Sequence, residues 1–235
     1  MPLQKKSRRG RSGSGQSKPG RCRIIAGDWR GRIISFDDAE GLRPTTDRIR
    51  ETVFNWLNPY IPGSHCLDCF AGSGVLGFEA LSRGAADVVF IESNRQSWES
   101  LKRNLDMLKQ GGGIGAADRA RLYHEDAIKF LQSISRASAT DIKLKPTHAE
   151  RTGFDQARLD KASFDLVFLD PPFHKNLLSQ SCSLLDSSGC LAEDAIIYVE
   201  HATDEAVELP PNWDCVRQKV AGQVAYKLYI VNHGH

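Results

Sequence analysis

Short apolar runs alternate with amphipathic stretches over most of the chain from His65 onward. The run CLDCF predicts a strand, and residues 75–83 predict a helix that stops at Gly84. The run DVVFIE (87–92) predicts the next strand. The segment after it carries four apolar side chains at helical spacing, namely Trp98, Leu101, Leu105 and Leu108.

The second half of the chain repeats this alternation. FDLVFLD (164–170) has an all-apolar middle, which is typical of a central parallel strand. We therefore predict an α/β fold with a doubly wound, mostly parallel sheet that binds ligands at the carboxyl ends of its strands. The other predicted elements are a strand RLYHED (121–126), a helix through Phe130 and Leu131, a helix over 177–185, a strand AIIYVE (195–200), and two strands between 216 and 231 joined near Gly222.

The N-terminal part has a different pattern. RIIAGDWRGRIIS (23–35) places two Ile pairs around a glycine-bounded turn and predicts a hairpin. GLRPTTDRIRETVFNWL predicts a loop that enters a helix capped by Thr45 or Thr46. The apolar face of this helix would be formed by Ile49, Val53, Trp56 and Leu57.

Two segments lack apolar periodicity. Residues 1–21 are rich in Lys, Arg, Gly and Ser, and we predict a disordered basic arm there. Residues 136–162 are polar and separate a predicted helix from a predicted strand, so we expect a surface insertion. The rest, residues 22–235, is expected to form one domain, with the hairpin and helix at 22–62 as its N-terminal addition.

The charge is unevenly distributed along the 235 residues. The net charge is +2, but residues 1–50 contain 13 Lys and Arg against 5 Asp and Glu, which leaves 18 against 24 for the remainder. A basic front end on a mildly acidic body is what a nucleic-acid binder needs. A solvated tail without a partner is the alternative for residues 1–21.

Composition excludes some classes of protein. The hydrophobic content of 40% fits a soluble globular protein, and no apolar run approaches the roughly 18 residues that span a bilayer. No apolar segment follows the basic residues near the N-terminus, so a secretory signal is not expected. We expect a cytoplasmic protein without a membrane partner.

The six cysteines do not show the spacing of a disulfide framework. Cys66 and Cys69 form a CxxC pair, but no second pair or His cluster completes a zinc site. We therefore predict buried free thiols and no metal.

A glycine-rich loop follows the first strand of the alternating region. Gly72, Gly74 and Gly77 let the backbone turn tightly and approach a ligand at a helix N-terminus. Glu92 ends the next strand, where a carboxylate can accept hydrogen bonds from both hydroxyls of a ribose. This pattern fits NAD and S-adenosylmethionine, and a tight turn without a ligand remains the structural alternative.

Two further acids bear on the choice of cofactor. Asp68 lies just before the glycines, where its charge would repel a pyrophosphate but suit a sulfonium ligand that carries an ammonium group. This favours S-adenosylmethionine over NAD. Asp126, at the end of a predicted strand, is positioned to accept from an adenine amine, to cap the next helix, or to do both.

The sequence DPPF closes the apolar strand FDLVFL. The Asp170 carboxylate and the Pro171 carbonyl would accept hydrogen bonds from the exocyclic amine of a nucleobase and aim its lone pair at a methyl group. Pro172 would fix the backbone, and Phe173 would stack on the base. An ordinary strand-ending turn is the alternative.

These blocks, together with RIIAGDWRGR, CLDCFAGSGVLGFEALSRGA and GQVAYKLY, closely resemble the RsmD family over roughly residues 23–231. That family consists of methyltransferases of a guanine N2 in bacterial 16S ribosomal RNA. The resemblance implies a Rossmann-like, seven-stranded fold whose last strand is antiparallel, and S-adenosylmethionine as cofactor. It also implies small-subunit ribosomal RNA as partner, expected within the 30S particle, and we expect a monomer.

The resemblance carries roles onto residues of this chain. The catalytic set would be Asp170, Pro171, Pro172 and Phe173. The cofactor would be held by Asp68, Phe70, Ala71, Gly72, Ser73, Gly74, Glu92, Ser93, Asp126 and Ala127. Separately from the resemblance, we expect RNA to be contacted by Arg23, Arg30, Arg43, Thr45, Thr46 and Arg48.

The segment RPTTDRIR has two interpretations. It is either a capped helix with a solvated basic face or a lid over an unpaired base, with Arg43 and Arg48 on RNA phosphates. Three other functions stay open at this point: a DNA adenine-N6 methyltransferase, an NAD-dependent oxidoreductase, and a non-catalytic RNA-binding assembly factor.

Overall fold

The structure is a computed structural model that describes residues 20–36, 47–110, 115–137 and 163–232. Within these ranges it contains nine strands, five α-helices and one short 3-10 helix. In chain order they are β1 Gly20–Arg23, β2 Ile33–Phe36, α1 Asp47–Leu57, β3 His65–Asp68, α2 Val75–Ser82, β4 Asp87–Glu92, α3 Arg95–Gln110, the 3-10 helix Ala117–Arg119, β5 Ala120–His124, α4 Ala127–Ala137, β6 Phe164–Leu169, α5 Leu177–Ser188, β7 Leu191–Ala202, β8 Trp213–Ala221 and β9 Val224–Val231.

Seven strands form the main sheet in the order β5-β4-β3-β6-β7-β9-β8. Strands β3 to β7 are mutually parallel, whereas β9 is antiparallel to both of its neighbours, β7 and β8. The predicted doubly wound sheet with an antiparallel last strand is therefore confirmed. Strand order reverses between β3 and β6, which is where open α/β sheets bind ligands.

Helices cover both faces of the sheet. The hairpin β1–β2 and helices α1, α2 and α3 share one buried core with the sheet. Helices α4 and α5 form the second core on the opposite face. None of the helices in the described parts of the chain is long and apolar enough to cross a membrane.

The predicted hairpin is present and packs against the C-terminal end of α2. The backbone N–H of Trp29 donates to Ser82 Oγ at 2.9 Å, and the Ser82 hydroxyl donates to the Ala26 carbonyl at 2.6 Å. Gly27 has φ +81° and lies so close to α2 that a Cβ would sit 1.7 Å from the Ser82 carbonyl oxygen. The Trp29 ring meets Phe78 edge-on, which anchors the turn in the core.

Helix α1 confirms the predicted helix, but its basic residues differ in environment. Arg50 is fully buried: its guanidinium donates to the Arg23 carbonyl at 3.0 Å and pairs with Asp47 at 2.5 Å. Arg48 is exposed. Arg50 also lies 4.0 Å from the buried carboxylate of Glu79. The interpretation of this segment as a solvated basic face is therefore wrong for Arg50.

Several predicted boundaries differ from the observed ones. Strand β5 ends at His124, two residues before Asp126, and β7 runs from Leu191 to Ala202 rather than from 195 to 200. Strand β1 already begins at Gly20, inside the predicted arm. Helix α4 extends to Ala137, inside the predicted insertion. The rest of the arm (1–19) and of the insertion (138–162) lies outside the described residues.

Candidate functional site

The glycine loop and the DPPF segment leave neighbouring strands at the same edge of the sheet. Strands β3 and β6 are paired in parallel with Asp68 opposite Phe168, and the Cys69 N–H donates to the Phe168 carbonyl at 3.2 Å. Asp170 follows two residues after Phe168. The two segments that the sequence singled out thus start side by side at the switch point of the sheet.

The loop owes its shape to glycines with left-handed backbone. Gly72 has φ +54° and Gly74 has φ +86°. A Cβ on Gly74 would lie 2.4 Å from Leu101 and 2.5 Å from Phe78, and one on Gly77 would lie 2.2 Å from Phe90. These glycines therefore let α2 start close to the sheet, so that the helix N-terminus points at the ligand side of the edge.

Glu92 is tied to this loop. Its carboxylate accepts hydrogen bonds from the Gly72 N–H at 2.7 Å and from the Asn94 N–H at 2.6 Å. Burial raises the pKa of Glu92, and the hydrogen bonds from Asn94, Gly72 and Ser93 oppose that shift. These hydrogen bonds fix the Glu92 carboxylate beside the loop, and its contact with the hydroxyls of a ribose stays a prediction.

Asp68 is only 2% exposed and accepts a hydrogen bond from the Gly77 N–H at 3.2 Å. Burial raises its pKa to about 7, although the Gly77 N–H opposes the shift and the charge of Glu92 adds to it. Burial thus disfavours the charged form of this carboxyl, and a cation beside it would favour that form.

Asp126 acts as the N-cap of α4, because its Oδ1 accepts from the Lys129 N–H at 3.0 Å. The capping role of this exposed residue is therefore confirmed, and its contact with an adenine stays a prediction. Ala127 is buried behind it. His124, at the end of β5, stacks on Trp98 with ring centroids 5.4 Å apart and lies 3.2 Å from the Ser93 carbonyl. This stacked pair was not predicted from the sequence.

Asn104 was also missed. This α3 residue is 3% exposed and its side-chain amide donates to the carbonyls of Ser35 at 2.8 Å and Ser73 at 3.0 Å. Its Oδ1 accepts from the Ser35 N–H at 3.1 Å. One buried amide thus joins β2, α3 and the glycine loop. Its place on the apolar face of α3, beside Leu101 and Leu105, was the signal available in the sequence.

The DPPF segment lies at the surface edge of the sheet. Asp170 and Phe173 are partly exposed, Pro171 is buried and Pro172 is exposed. After it the backbone adopts positive φ at His174 (+59°) and Asn176 (+52°) before α5 begins. Non-glycine residues rarely adopt positive φ, so the backbone is strained at these two positions. Such strain clusters at functional sites.

Four carboxylates lie at this edge, on or just after four neighbouring strands. Each comes two residues after a residue of the core that includes α1, α2 and α3. Because side chains alternate between the two faces of a strand, all four carboxylates project on the face that carries this core. The four pairs are Phe90 and Glu92 on β4, Cys66 and Asp68 on β3, Phe168 on β6 with Asp170 just after its end, and Tyr198 and Glu200 on β7. Such an edge repels phosphate and attracts a cationic ligand.

The predicted RNA-contacting residues are not all near this edge. Helix α1 begins at Asp47, and Arg48 is exposed in its first turn. Arg30 neighbours Trp29 beside Ser82, roughly 12 Å of helix away from Gly74. The exposed Arg23 bonds the Gly31 carbonyl at 3.2 Å. Arg43, Thr45 and Thr46 lie outside the described residues.

The CxxC pair is buried. Burial raises the pKa of Cys66 to about 12 and holds that of Cys69 well above its usual value, so neither thiol is a ready nucleophile or metal ligand. Across the described parts of the chain, no group of three or more His, Cys, Asp or Glu is placed to hold a metal ion.

Comparisons with known proteins agree with this picture. A family model described as "Conserved hypothetical protein 95" matches residues 22–152 and 143–230. "Ribosomal RNA small subunit methyltransferase D" of Escherichia coli K12 is 44% identical over 219 residues, which cover 93% of this chain and 91% of that protein. The protein of the same name from Haemophilus influenzae is 42% identical over 210 residues, covering 89% and 94%. A solved structure from Escherichia coli shares 43% identity with a TM-score of 0.67 and covers 91% of this chain and 99% of that one.

Proposed function

The chain belongs to the RsmD family, and from that membership we propose that it methylates small-subunit ribosomal RNA with S-adenosylmethionine, on the N2 amine of one guanine. The observation that carries the proposal is the pairing of β3 with β6, which puts the glycine loop beside Asp170. We further propose that the enzyme acts as a monomer on the 30S particle.

The residues at the edge fit this cofactor better than a dinucleotide. Asp68 is a buried carboxyl beside the loop. Its negative charge would repel a pyrophosphate and attract an ammonium group. Glu92 would receive the ribose hydroxyls. The loop from Phe70 to Gly74 would supply backbone contacts, and Ser93, Asp126 and Ala127 would border the adenine next to the Trp98–His124 stack.

The chemical step asks little of the protein beyond orientation. S-adenosylmethionine supplies, when bound, an electrophilic methyl group on a sulfonium. The Asp170 carboxylate and the Pro171 carbonyl accept hydrogen bonds from the N2 amine and direct its lone pair. With the methyl group transferred to the amine and the sulfur as leaving group, the amine would lose a proton, which the Asp170 carboxylate or water would accept. Phe173 stacks on the base, while Pro172 limits the motion of the segment.

The target base must be accessible for this geometry. A guanine N2 amine inside a helix is paired or stacked, so the base has to be splayed out of a loop or flipped. Arg48 is exposed in the first turn of α1, and we propose that it contacts phosphates beside such a base. We propose the same role for Arg43, Thr45 and Thr46, and a more distant phosphate contact for Arg23 and Arg30.

The test uses small subunits purified from cells that lack this protein. Incubation with labelled S-adenosylmethionine, followed by nucleoside mass spectrometry, should yield one N2-methylguanine per particle. Asp170→Asn should lower kcat by about 10² or more, whereas Asp106→Asn, an exposed acid on α3, should not. Label in adenine, or preferential labelling of duplex DNA, would contradict the proposal.

A further inference from the structure

Glu200 on β7 lies next to Asp170 at the edge of the sheet. Strands β6 and β7 are paired in parallel with Leu169 opposite Val199, so the next residues along the two chains are Asp170 and Glu200. Phe168 and Tyr198, two residues earlier, meet edge-to-face with centroids 6.2 Å apart. By alternation Glu200 therefore projects on the same face as Asp170.

Tyr198 holds the Glu200 side chain in place. Glu200 is 3% exposed, and its Oε1 accepts a short hydrogen bond from the hydroxyl of Tyr198, which is fully buried. Burial, together with the charges of Glu200 and Asp170, keeps the pKa of Tyr198 well above its usual value, so the phenol remains a donor.

Guanine differs from the other amine-bearing bases in the group beside its amine. On its Watson–Crick edge the N2 amine adjoins an N1–H, so it presents two neighbouring donor groups. In adenine and cytosine the ring nitrogen next to the exocyclic amine is an acceptor. A pair of adjacent acceptors in the protein therefore matches guanine and opposes adenine and cytosine.

We propose that Glu200, oriented by Tyr198, accepts the N1–H of the target guanine while Asp170 and the Pro171 carbonyl accept its N2 amine. This inference rests on the proposed function and names the residue that determines its base specificity. Glu200 is a specificity residue here because the pairing of β6 with β7 brings it next to Asp170 along the edge of the sheet, and by alternation it projects on the same face.

A guanine analogue separates this role from general support of the site. The compound 2,6-diaminopurine keeps an N2 amine but carries an acceptor at N1, which would face the Glu200 carboxylate with repulsion. The target nucleotide is replaced by this analogue in 16S RNA ligated from two fragments and reconstituted into small subunits. The wild-type enzyme should methylate guanine at least about 10-fold faster than the analogue in kcat/KM, by the usual size of a base-discriminating contact.

Glu200→Gln should reverse or collapse this ratio, since an amide N–H donates to the acceptor at N1 while the amide oxygen still accepts from Tyr198. Tyr198→Phe should reduce the ratio as well, because the carboxylate loses its fixed orientation. Glu193→Gln, an exposed acid on the same strand, serves as the control and should leave the ratio unchanged.

The outcomes distinguish the two proposals. If the wild-type enzyme makes N2-methylguanine but Glu200→Gln leaves the guanine-to-diaminopurine ratio unchanged, Glu200 does not read N1, whatever happens to kcat. If the wild-type enzyme makes no N2-methylguanine at all, the proposed function itself is overturned. Affinity for S-adenosylhomocysteine, measured by calorimetry, should stay unchanged in Glu200→Gln and shows that the variant is folded.

Discussion

The Gly77 N–H, at the start of α2, donates a 3.2 Å hydrogen bond to the buried carboxyl of Asp68, at the end of β3. This contact joins the strand to the helix that follows the glycine loop. It only partly offsets the loss of water around Asp68, whose pKa is raised to about 7. The protonation of one buried group should therefore influence both ligand binding and stability near neutral pH.

Binding of S-adenosylhomocysteine should weaken as the solution becomes more acidic. In the ligand-free protein Asp68 is increasingly protonated below pH 7, whereas the ammonium of the ligand favours the charged carboxylate. The dissociation constant should rise by up to about tenfold per pH unit as pH falls from about 7 to about 5. Calorimetry across this range measures the slope, and Asp68→Asn should abolish it. An equal slope in the variant would assign the titration to another group.

Asp68→Asn should stabilise the ligand-free protein at alkaline pH. The folded-state pKa of about 7 lies above the reference value of 3.8, so the free energy of unfolding falls as pH rises between these values. At pH 8 the variant should gain on the order of 1–3 kcal/mol, because the amide oxygen still accepts from Gly77 without a buried charge. Urea unfolding should show the gain at pH 8 and little of it near pH 4. Destabilisation at pH 8 would contradict this account.

Asn104→Ala should loosen the glycine loop. The substitution removes the hydrogen bonds to Ser35 and Ser73 and leaves buried backbone groups without a partner, which costs about 1–3 kcal/mol of unfolding free energy. Because Ser73 belongs to the loop, affinity for S-adenosylhomocysteine should fall too. Asn104→Asp keeps the acceptor and loses both donations, and Asn55→Ala, on the exposed face of α1, is the control. Unchanged affinity in Asn104→Ala would limit the residue to a structural role.

Gly27→Ala should undock the N-terminal hairpin. Gly27 combines φ +81° with a Cβ position 1.7 Å from the Ser82 carbonyl oxygen, so the backbone of the turn must move. Gly31, in the same turn, has φ +85°, but a Cβ there would meet only the Arg23 guanidinium, at 4.0 Å. Gly31→Ala should therefore lower the free energy of unfolding only by the cost of a left-handed backbone, about 1–2 kcal/mol. Unfolding experiments should show a clearly larger loss for Gly27→Ala. Equal losses would mean that the hairpin shifts without cost.

Local pattern predicted the elements of the fold well. Apolar periodicity distinguished strands from helices, and the glycines fixed the position of the loop before Glu92. The boundary of β5 differed because a single residue serves two elements. Asp126 continues the apparent strand in the sequence, but its carboxylate caps α4 and ends the regular extended backbone at His124.

The buried polar contacts were not predictable in the same way. Asn104 bonds Ser35 and Ser73, which are 69 and 31 residues away, and Arg50 reaches the Arg23 carbonyl across 27 residues. Such pairs depend on which helices share a face of the sheet, and a single sequence does not state this. The Tyr198–Glu200 pair was not predicted for a related reason. The pattern AIIYVE predicts only a buried strand, and the position of Glu200 next to Asp170 depends on the pairing of this strand with β6.

The position of β9 has a consequence for how the protein is made. Residues 224–231 pair with β7 on one side and β8 on the other. While the chain is being synthesised, β7 therefore presents an open hydrogen-bonding edge until those residues have emerged. Nascent chains stalled before Val224 should be prone to edge-to-edge association, and the sheet is complete only after β9 has been translated.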